Sequence, residues 1–465
     1  MYDLAVIGGG PGGYVAAIRA AQKGLKVLLI EKDCLGGTCL NRGCISTKCF
    51  FHDTKVLRRA KTSQVITGAK NLSIDMKKMV ARKRQVVESL LTGLKKIITS
   101  YNIELVQGLG ELITSGRVKV IKDDRLDTGY QAKHIILATG SKPDVPKFIE
   151  ADGYHIQTTD EVLDSEDLPH SLIIIGGGVI GVEMANIYQS LGCQVTILEL
   201  LPEILMTEDE EIRRVMKMLM LQRGVKIYLK ANVKELIVKS PKINVIFDDE
   251  NRQTNTLKVD RVLVATGRVP VFEGIDVGKL GIEMAGPFIK VNTRLETSLP
   301  GIFAIGDLIG GVMLAQKASA EAEVAVANIL GGKKEVKPEL IPRCIWGFTE
   351  IASVGFTEED ARRLGRQIRV GKFSYMNSGA GQVIGDKDGF VKVVGDAESG
   401  EILGVHILGE RATDLISESV FAMTIEAVVE DLAKSIKPHP TLSEAVMEAA
   451  MGWNDLAIHL LNKPR

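Results

Sequence analysis

Short, almost uninterrupted apolar runs recur along the chain, and the clearest of them end in glycine-rich turns. The first, Leu4–Ile7, leads into Gly8-Gly-Gly10-Pro-Gly-Gly13, after which apolar residues follow with helical spacing from Tyr14 to Lys23. Another apolar run, Lys26–Ile30, comes next and ends at Glu31. Runs of this length bounded by glycine are typical of buried strands, so the segment predicts a strand–helix–strand unit with parallel strands.

The same pattern returns later in the chain. Ser171–Ile175 predicts a strand, Gly176-Gly-Gly178-Val-Ile-Gly181 a turn, 182–191 a helix and 194–198 the next strand, which ends before Glu199. Two such units predict an α/β chain with two Rossmann-like domains, each able to bind a dinucleotide.

Each position of the glycine pattern has a mechanical reason. The first glycine permits the tight turn, the second lets the backbone approach a pyrophosphate, and the third lets the helix pack on the strand. Free N–H groups at the helix N-terminus bind the phosphates, and the terminal carboxylate can accept a hydrogen bond from a ribose hydroxyl. The predicted dinucleotide-binding residues are Gly8, Gly10, Gly13 and Glu31 in the first unit and Gly176, Gly178, Gly181 and Glu199 in the second.

Glu199 also bears on which nicotinamide cofactor is bound. A carboxylate at this position accepts a hydrogen bond from a free 2′-hydroxyl and repels a 2′-phosphate, and Leu200-Leu-Pro202 offers no arginine to hold such a phosphate. NAD is therefore favoured over NADP. The alternative is that Glu199 only faces solvent.

A third signal lies downstream. Ile302–Ile305 predicts a strand, and Asp307 follows at its carboxyl end, the usual ligand edge of an open α/β sheet. A helix predicted from Leu314 to Ile329 would direct the positive end of its dipole, near Ala315, at an anionic cofactor.

Two Ala-Thr-Gly motifs, ending at Gly140 and Gly267, close further apolar runs. Each follows an alternating stretch, 118–120 and 243–247, that predicts a small β-meander. We expect Gly140 near the first dinucleotide and Gly267 near the second.

Four of the six cysteines recur at five-residue intervals: Cys34, Cys39, Cys44 and Cys49. Residues five apart on a regular helix are rotated by about 140°, so a Cys39–Cys44 disulfide requires a distorted turn, which Gly43 would permit. A bond that closes so small a loop suggests redox turnover. Lys48 would share a helical face with Cys44. The alternative is a metal site, but zinc and iron–sulfur spacings differ from this one, so no metal is predicted.

From about residue 340 the pattern becomes α+β. Runs at 389–394 and 402–408 predict strands joined by a turn at 398–401, and 413–430 predicts one helix suited to a packed interface.

The motif Lys437-Pro-His439-Pro-Thr441 holds a histidine rigidly, because both flanking prolines restrict the backbone. Glu444 lies in a helix predicted from Ser443 to Ala450, with Thr441 as its cap, and can orient the imidazole as a base for a thiol. The His439–Pro440 bond is predicted to be cis.

Composition narrows the function classes. The 465 residues suffice for three domains, and 58 basic and 58 acidic side chains give a formal net charge of zero, which argues against nucleic-acid binding. No run of about twenty uncharged apolar residues exists, so no membrane-spanning helix is predicted. No basic segment precedes the first apolar run, so we expect no secretory signal and a cytoplasmic location.

The combination of these motifs is specific. The two glycine-rich units, Gly36-Gly-Thr-Cys39-x4-Cys44, Ala304-x-Gly306-Asp307 and His439-Pro-Thr441 resemble the plan of the pyridine nucleotide:disulfide oxidoreductases, the family of dihydrolipoamide dehydrogenase, glutathione reductase and mercuric reductase. The resemblance spans essentially the whole chain and is greatest to the dihydrolipoamide dehydrogenases.

The resemblance implies two cofactors, FAD and NAD, and three domains. Residues 1–145 and 269–339 would bind FAD, 146–268 would bind NAD, and 340–465 would form an α+β interface domain for a homodimer. Besides the glycine loop and Glu31, the implied FAD contacts are Lys48, Gly140, Asp307 and Ala315, and Gly267 would join the NAD site.

It also implies catalytic roles. Cys39 would be the interchange thiol that attacks the substrate disulfide, and Cys44 the thiol next to the flavin. Lys48 would stand beside the flavin, paired with Glu183. His439 and Glu444 would come from the opposite subunit as the base for the interchange thiol.

The implied reaction oxidises dihydrolipoamide and passes electrons through the cysteine pair and FAD to NAD⁺. No lipoyl domain is present in the sequence, so the lipoyl group is expected on a protein of a 2-oxo-acid dehydrogenase or glycine cleavage complex. Two departures from the usual motif, Arg42 between the cysteines and Ser46-Thr47 before the lysine, bear on redox poise and substrate.

Two alternatives stay open. One is an NAD(P)H-dependent reductase of another small disulfide, and the other is a flavin-containing redox-sensing or binding component. Glutathione reductase is disfavoured because Glu199 is followed directly by Leu200 and Leu201, where arginines that bind NADPH would be expected. Mercuric and large thioredoxin reductases are disfavoured because the last cysteine is Cys344 and the terminal Lys463-Pro-Arg465 carries no redox pair.

Overall fold

A computed structural model describes residues 1–122 and 125–461; Lys463-Pro-Arg465 lies outside the described residues. The strands are β1 Tyr2–Ile7, β2 Val27–Glu31, β3 Glu104–Gln107, β4 Leu109–Thr114, β5 Arg117–Lys122, β6 Arg125–Leu137, β7 Ser141–Pro143, β8 Ile156–Gln157, β9 Ser171–Ile175, β10 Gln194–Leu198, β11 Lys226–Tyr228, β12 Asn232–Lys239, β13 Lys242–Asp248, β14 Thr254–Val259, β15 Arg261–Val264, β16 Arg268–Pro270, β17 Met284–Ala285, β18 Phe288–Ile289, β19 Ile302–Ala304, β20 Arg343–Ile345, β21 Ile351–Gly355, β22 Ile368–Ser374, β23 Phe390–Asp396 and β24 Ile402–Leu408.

The α-helices are α1 Pro11–Gln22, α2 Gly37–Asn41, α3 Cys44–Thr62, α4 Met76–Ser100, α5 Thr159–Val162, α6 Val179–Leu191, α7 Glu210–Gln222, α8 Val277–Leu280, α9 Ala315–Ile329, α10 Glu358–Arg363, α11 Gly379–Ile384, α12 Ala412–Thr424, α13 Val429–Lys434 and α14 Glu444–Gly452. Among the described residues, none of these helices combines the length and apolarity needed to cross a membrane.

The chain divides into two compact units. Unit 1 comprises Met1–Val56, Gly68–Leu168 and Thr266–Val336; unit 2 comprises Leu57–Thr67, Pro169–Ala265 and the chain from Lys337 onward. The boundaries of the three predicted domains stay a prediction.

Unit 1 is built on a parallel sheet with strand order β3-β2-β1-β6 and with β19 beside β6. β6 also pairs with β5 in the predicted antiparallel meander. The sheet is covered by α1 and α9, whose buried faces are small: Ala16, Ala17 and Ala20 share one core with Ala322 and Ala325. Because β1 and β19 run parallel, the glycine loop after β1 and Asp307 after β19 leave the sheet at the same edge.

Unit 2 contains two sheets and a meander. The parallel strands β11-β10-β9-β15 carry the second glycine loop after β9, and β12-β13-β14 form the second predicted meander. The other sheet is antiparallel, in the order β20-β21-β24-β23-β22, and packs against α12 and α14 around Trp453.

Three helix predictions need correction. α1 begins at Pro11 and α6 at Val179, three residues before the predicted starts, because each helix begins inside the glycine turn and a proline at the first position is compatible with helix. The single helix predicted over 413–430 is wrong. Its chain turns at Glu426, which has a positive φ of 58°, and this separates α12 from α13.

Candidate active site

The redox cysteines lie where two helices meet in unit 1. Cys39 is on the short α2, and Cys44 is the first residue of α3. Between them Arg42 leaves the helical conformation, with φ −142°, so the two cysteines are not on one continuous helix. Their side chains form a hydrogen bond with each other, and both are thiols here. The predicted distorted turn is therefore confirmed.

Gly43 makes this turn possible. A Cβ placed on it would lie 2.9 Å from the carbonyl oxygen of Thr38 and 3.4 Å from Cα of Cys39. The backbone of α2 thus lies directly against Gly43, and any side chain would push the two cysteine-bearing segments apart.

The two departures in this motif have structural partners. Ser46 is buried and donates a hydrogen bond from Oγ to the carbonyl oxygen of Asn41 at 2.8 Å, which ties the end of α2 to α3. Arg42 forms an ion pair with Asp33, so its guanidinium charge is balanced by a carboxylate. This pairing reduces the effect on the thiols that an unbalanced cation between the cysteines would have.

The surroundings of Cys39 disfavour its ionisation. The hydrogen bond to Cys44 and burial together raise the pKa of the Cys39 thiol, while Lys48, one turn along α3 from Cys44, acts in the opposite direction. Two thiols in contact resist double ionisation because the two negative charges repel each other. A single thiolate beside a cation is the reactive form of such a pair.

The first glycine loop has the geometry of a dinucleotide site. Gly8 has φ +104°, and a Cβ at Gly13 would lie 1.7 Å from the carbonyl oxygen of Gly8, so only glycine allows the helix to pack this closely. Gly10 caps α1 without a side-chain partner. Glu31 accepts hydrogen bonds from the N–H groups of Gly9 at 2.6 Å and Asp33 at 2.7 Å.

The second loop repeats this arrangement in unit 2. Gly176 has φ +111°, and a Cβ at Gly181 would lie 2.0 Å from the carbonyl oxygen of Gly176. Gly178 caps α6 without a side-chain partner. Glu199 accepts from the N–H of Gly177 and, at 2.7 Å, from that of Leu201. The two loops are thus built on the same hydrogen-bonding scheme.

Both loops fit a dinucleotide. Glycine caps leave the first N–H groups of α1 and α6 open to a phosphate, and a Cβ at Gly178 would meet no atom within 4 Å, so there is room above this loop. Gly140 and Gly267, with φ of +71° and +129°, also face open space. The contacts of these residues with FAD and NAD remain predictions.

Asp307 follows β19 in unit 1, as predicted. Its Oδ2 accepts a hydrogen bond from Ser141 Oγ at 2.5 Å, and Ser141 Oγ in turn accepts from Arg268 Nε at 2.7 Å. Arg268 belongs to the same Ala-Thr-Gly-Arg motif as Gly267. Helix α9 begins at Ala315 and has no side-chain cap.

Two residues behind Asp307 escaped the sequence analysis. Lys317 and Glu321 form a buried ion pair of 2.7 Å on α9, and both contact the backbone of Gly306. The sequence does contain a signal for them. Both residues share a helical stripe with the alanines that face the sheet, and a charged pair is unexpected there.

A second hydrogen-bonded pair of candidate catalytic residues, His439 and Glu444, lies in unit 2. The distance from His439 Nδ1 to Glu444 Oε1 is 2.9 Å, and Glu444 Oε2 accepts from the N–H of Thr441 at 2.9 Å. The His439–Pro440 bond is cis, as predicted. Thr441 is not the helix cap, since Ser443 precedes the first turn of α14; the Thr441 hydroxyl donates instead to the carbonyl oxygen of Pro438.

Hydrogen bonds within this pair and from the backbone favour the ionised form of Glu444. Burial acts to raise the pKa of Glu444, but the hydrogen bonds from His439 and from the N–H of Thr441 outweigh it and lower the pKa. The imidazole side chain is 76% exposed, so its second nitrogen is accessible to a reacting thiol.

The structure therefore groups Cys39, Cys44 and Lys48 in unit 1 and His439 with Glu444 in unit 2. Cys34 is exposed and Cys49 buried, and among the described residues no cluster of His, Cys, Asp and Glu could hold a metal.

Comparison with known proteins identifies the family. Dihydrolipoyl dehydrogenases of Bacillus subtilis and Thermus scotoductus are each 38% identical to this chain; the alignments cover 98% and 99% of it and 99% of either relative. The crystal structure of LpdA from Mycobacterium tuberculosis has a TM-score of 0.90 at 25% identity, covering 96% of this chain and 98% of that one. The flavoprotein disulfide reductase RclA from Escherichia coli has a TM-score of 0.86 at 26% identity, covering 97% and 98%.

Family models match nearly the whole length. Residues 2–322 match the model described as pyridine nucleotide-disulphide oxidoreductase, and residues 341–450 match the dimerisation domain of the same family. The resemblance drawn from the motifs is confirmed: the chain belongs to the pyridine nucleotide-disulphide oxidoreductase family.

Proposed function

We propose that the protein oxidises protein-bound dihydrolipoamide to lipoamide and passes the electron pair to NAD⁺. The observation that carries this proposal is the direct contact of the Cys39 and Cys44 thiols where α3 begins. A pair in contact can close to a disulfide and open again, as dithiol oxidation requires. Relatives of nearly equal length that are named dihydrolipoyl dehydrogenase support the choice of substrate.

In the proposed reaction the Cys39–Cys44 disulfide is the oxidant of the substrate. A substrate thiolate attacks Cys39 and forms a mixed disulfide, and Cys44 leaves as a thiolate. The second substrate thiol then attacks the mixed disulfide and releases Cys39, so one dithiol is oxidised and one disulfide is reduced. His439, oriented by Glu444, takes up a proton from the substrate thiols and serves the Cys39 thiol.

The reduced cysteine pair has to be reoxidised before the next turnover. FAD held in unit 1 would supply the two-electron chemistry that links the cysteine pair to NAD⁺. The loop with Gly8, Gly10 and Gly13 would hold FAD together with Glu31, and Asp307 and Ala315 would contribute further contacts. The loop with Gly176, Gly178 and Gly181 would hold NAD together with Glu199. Two observations support these assignments: the helix N-termini have no side-chain cap, and Leu200-Leu-Pro202 directly after Glu199 contains no arginine.

The working form is proposed to be a homodimer, as the match of residues 341–450 to a dimerisation domain supports. In this form the partner subunit's His439 serves Cys39, and Lys48 pairs with Glu183 beside the flavin. The division into an FAD domain (1–145 and 269–339), an NAD domain (146–268) and an interface domain (340–465) belongs to the same proposal. So do the lipoyl-bearing partner and a cytoplasmic location, which pull-down and cell fractionation would test.

Serine replacement of each redox cysteine tests the mechanism. In Cys39→Ser and Cys44→Ser we expect dihydrolipoamide-dependent NAD⁺ reduction to fall by roughly a thousandfold or more, because no disulfide can form. Both variants should remain yellow with bound FAD, because neither change touches the glycine loop. Cys34→Ser, which alters an exposed thiol nearby, is the control and should retain full turnover. Turnover retained by Cys39→Ser would contradict the mechanism.

A further inference from the structure

The face that α9 turns towards the core carries a charged pair among alanines. Lys317 and Glu321 are 8% and 2% exposed, and Lys317 Nζ lies 2.7 Å from Glu321 Oε1. Their neighbours on this face, Ala318 and Ala322, are buried as well. A lysine and a glutamate are rarely buried to this extent unless they are paired and hydrogen-bonded.

Both charges contact one peptide segment. Glu321 Oε2 accepts a hydrogen bond from the N–H of Gly306 at 2.7 Å, and Lys317 Nζ donates to the carbonyl oxygen of Gly306 at 3.3 Å. The pair therefore holds the donor and the acceptor of the same glycine.

Gly306 begins the turn between β19 and α9 with φ +74°, a conformation that glycine adopts without steric cost. Asp307 is the next residue, and the peptide that joins it to Gly306, whose carbonyl oxygen accepts from Lys317, helps to set the direction of its carboxylate. The Ser141 hydroxyl donates to Oδ2 of Asp307. The carboxylate is thus held through its backbone by the α9 pair and through its side chain by Ser141.

The Lys317–Glu321 ion pair is not expected to contribute much to the unfolding free energy by itself. Apolar residues that replace a buried ion pair often leave a protein equally stable or more stable, since the desolvation of two charges offsets their attraction. An apolar pair on this alanine face would pack against the sheet but could not bind Gly306. An ion pair at this position is therefore better explained by its hydrogen bonds to Gly306, which orient the backbone there.

We propose that Lys317 and Glu321 are positioning residues that hold the Gly306 peptide and thereby direct the Asp307 carboxylate at bound FAD. This inference rests on the FAD site of the proposed function, but not on the substrate or the cysteine chemistry.

The test uses the full-length protein, stripped of flavin and titrated with FAD. In the double variant Lys317→Met/Glu321→Leu we expect a thermal midpoint equal to or above that of the parent, with an FAD dissociation constant raised at least tenfold and an altered visible circular dichroism of the bound flavin. Glu321→Gln keeps an acceptor for Gly306 and should bind FAD more tightly than the double variant. Glu323→Gln is the matched control: it breaks the ion pair between Glu323 of α9 and Arg19 of α1 and should bind FAD like the parent.

A double-mutant cycle shows whether the pair acts through Asp307. In an Asp307→Ala background, the Lys317→Met/Glu321→Leu change should weaken FAD binding by much less than it does in the parent, since the residue that it positions is already gone. Undiminished weakening in that background, or unchanged FAD affinity and dichroism in the double variant, would overturn the inference. If the double variant does not fold, the single variant Lys317→Met, which removes the donor to the Gly306 carbonyl oxygen, is titrated in both backgrounds and decides in the same way. A parent that binds FAD but does not oxidise dihydrolipoamide would remove only the proposed substrate.

Discussion

His439 and Glu444 are joined by a hydrogen bond of 2.9 Å between Nδ1 and Oε1, with the imidazole exposed and the carboxylate anchored by the N–H of Thr441. This bond orients the ring and leaves its second nitrogen free to exchange a proton with a thiol. A second pair of the same kind, His459 with Glu448 at 2.7 Å, lies in the same unit. Comparing a substitution of His439 with the same substitution of His459 therefore distinguishes a catalytic histidine from a structural one.

Removing the imidazole should slow the reaction without unfolding the protein. In His439→Gln we expect turnover with dihydrolipoamide to fall by about 10²–10⁴-fold, the usual contribution of a general acid–base group. Glu444→Gln should lower turnover less, because the amide can still bond the ring. Steady-state kinetics with NAD⁺ measure both effects.

His459→Gln serves as the control and should retain parent-like turnover. Equal losses in His439→Gln and His459→Gln would contradict a special role for His439.

A side chain at position 43 should disturb the redox turn. In Gly43→Ala the new Cβ would lie 2.9 Å from the Thr38 carbonyl oxygen, a backbone atom that moves only with α2. We expect a loss of about 1–3 kcal/mol in unfolding free energy, as for other overpacked sites, and slower reduction of the cysteine pair.

Gly93→Ala is the matched control for this substitution. Gly93 lies in α4, and a Cβ there meets nothing within 4 Å. Alanine should stabilise this helix by about 0.5–1 kcal/mol. Urea unfolding of both variants provides the measurement, and a Gly43→Ala protein as stable and as fast as the parent would contradict the packing described for the turn.

Much of this site follows from local sequence. The bounds of β9, β10 and β24 were predicted residue for residue, and both glycine loops fold as expected, because short apolar runs and glycine turns are determined within a few residues. The cysteine turn follows for a similar reason, because a disulfide between cysteines five residues apart cannot form on a regular helix.

Features that depend on tertiary contacts were not predicted. Lys317 and Glu321 resemble an ordinary solvent-exposed i,i+4 pair until the strand that α9 packs against is known. The break between α12 and α13 carries no proline or glycine, so helical periodicity alone continued through it. The hydrogen bond from Ser46 to Asn41 can be recognised only once the end of α2 is known to lie against α3.

Unit 2 contains a buried lysine whose loss should be costly. Lys392 Nζ lies 3.0 Å from both carboxylate oxygens of Asp209 and 2.7 Å from Glu358, with only 6% of its side chain exposed. Lys392→Met would leave the fully buried Asp209 without the lysine that it pairs with. We expect a loss of about 3–5 kcal/mol in unfolding free energy.

The neighbouring strand supplies the control. Lys372 pairs with Lys392 in strand register and contacts Glu211, but its side chain is 41% exposed. Lys372→Met should cost about 1 kcal/mol or less. Similar losses in the two variants, measured by urea unfolding, would show that burial of Lys392 is not what makes it important.

Asp260 should contribute a pH-dependent part of the stability. Burial acts to raise its pKa, but hydrogen bonds from Lys242 and from Ser171 outweigh this and lower the pKa to about 2, from a usual 3.8. A lowered folded-state pKa stabilises the protein above the unfolded-state pKa, and this contribution is lost as pH falls through about 4 towards 2.

Asp260→Asn removes this contribution. We expect the variant to be less stable than the parent at neutral pH, by about 1 kcal/mol or less because the group is partly exposed. The difference should shrink as the pH is lowered from 5 to 3, and thermal midpoints across this range measure it. A difference that grows towards acid would contradict the sign.

The proposed reaction can be measured as steady-state NAD⁺ reduction by free dihydrolipoamide, beside NADPH oxidation by glutathione disulfide on the same FAD-loaded protein. We expect fast turnover in the first assay and none in the second, because the Cys39–Cys44 pair would accept electrons from a dithiol and Glu199 would repel a 2′-phosphate. Turnover in the second assay alone, or in neither, would contradict it.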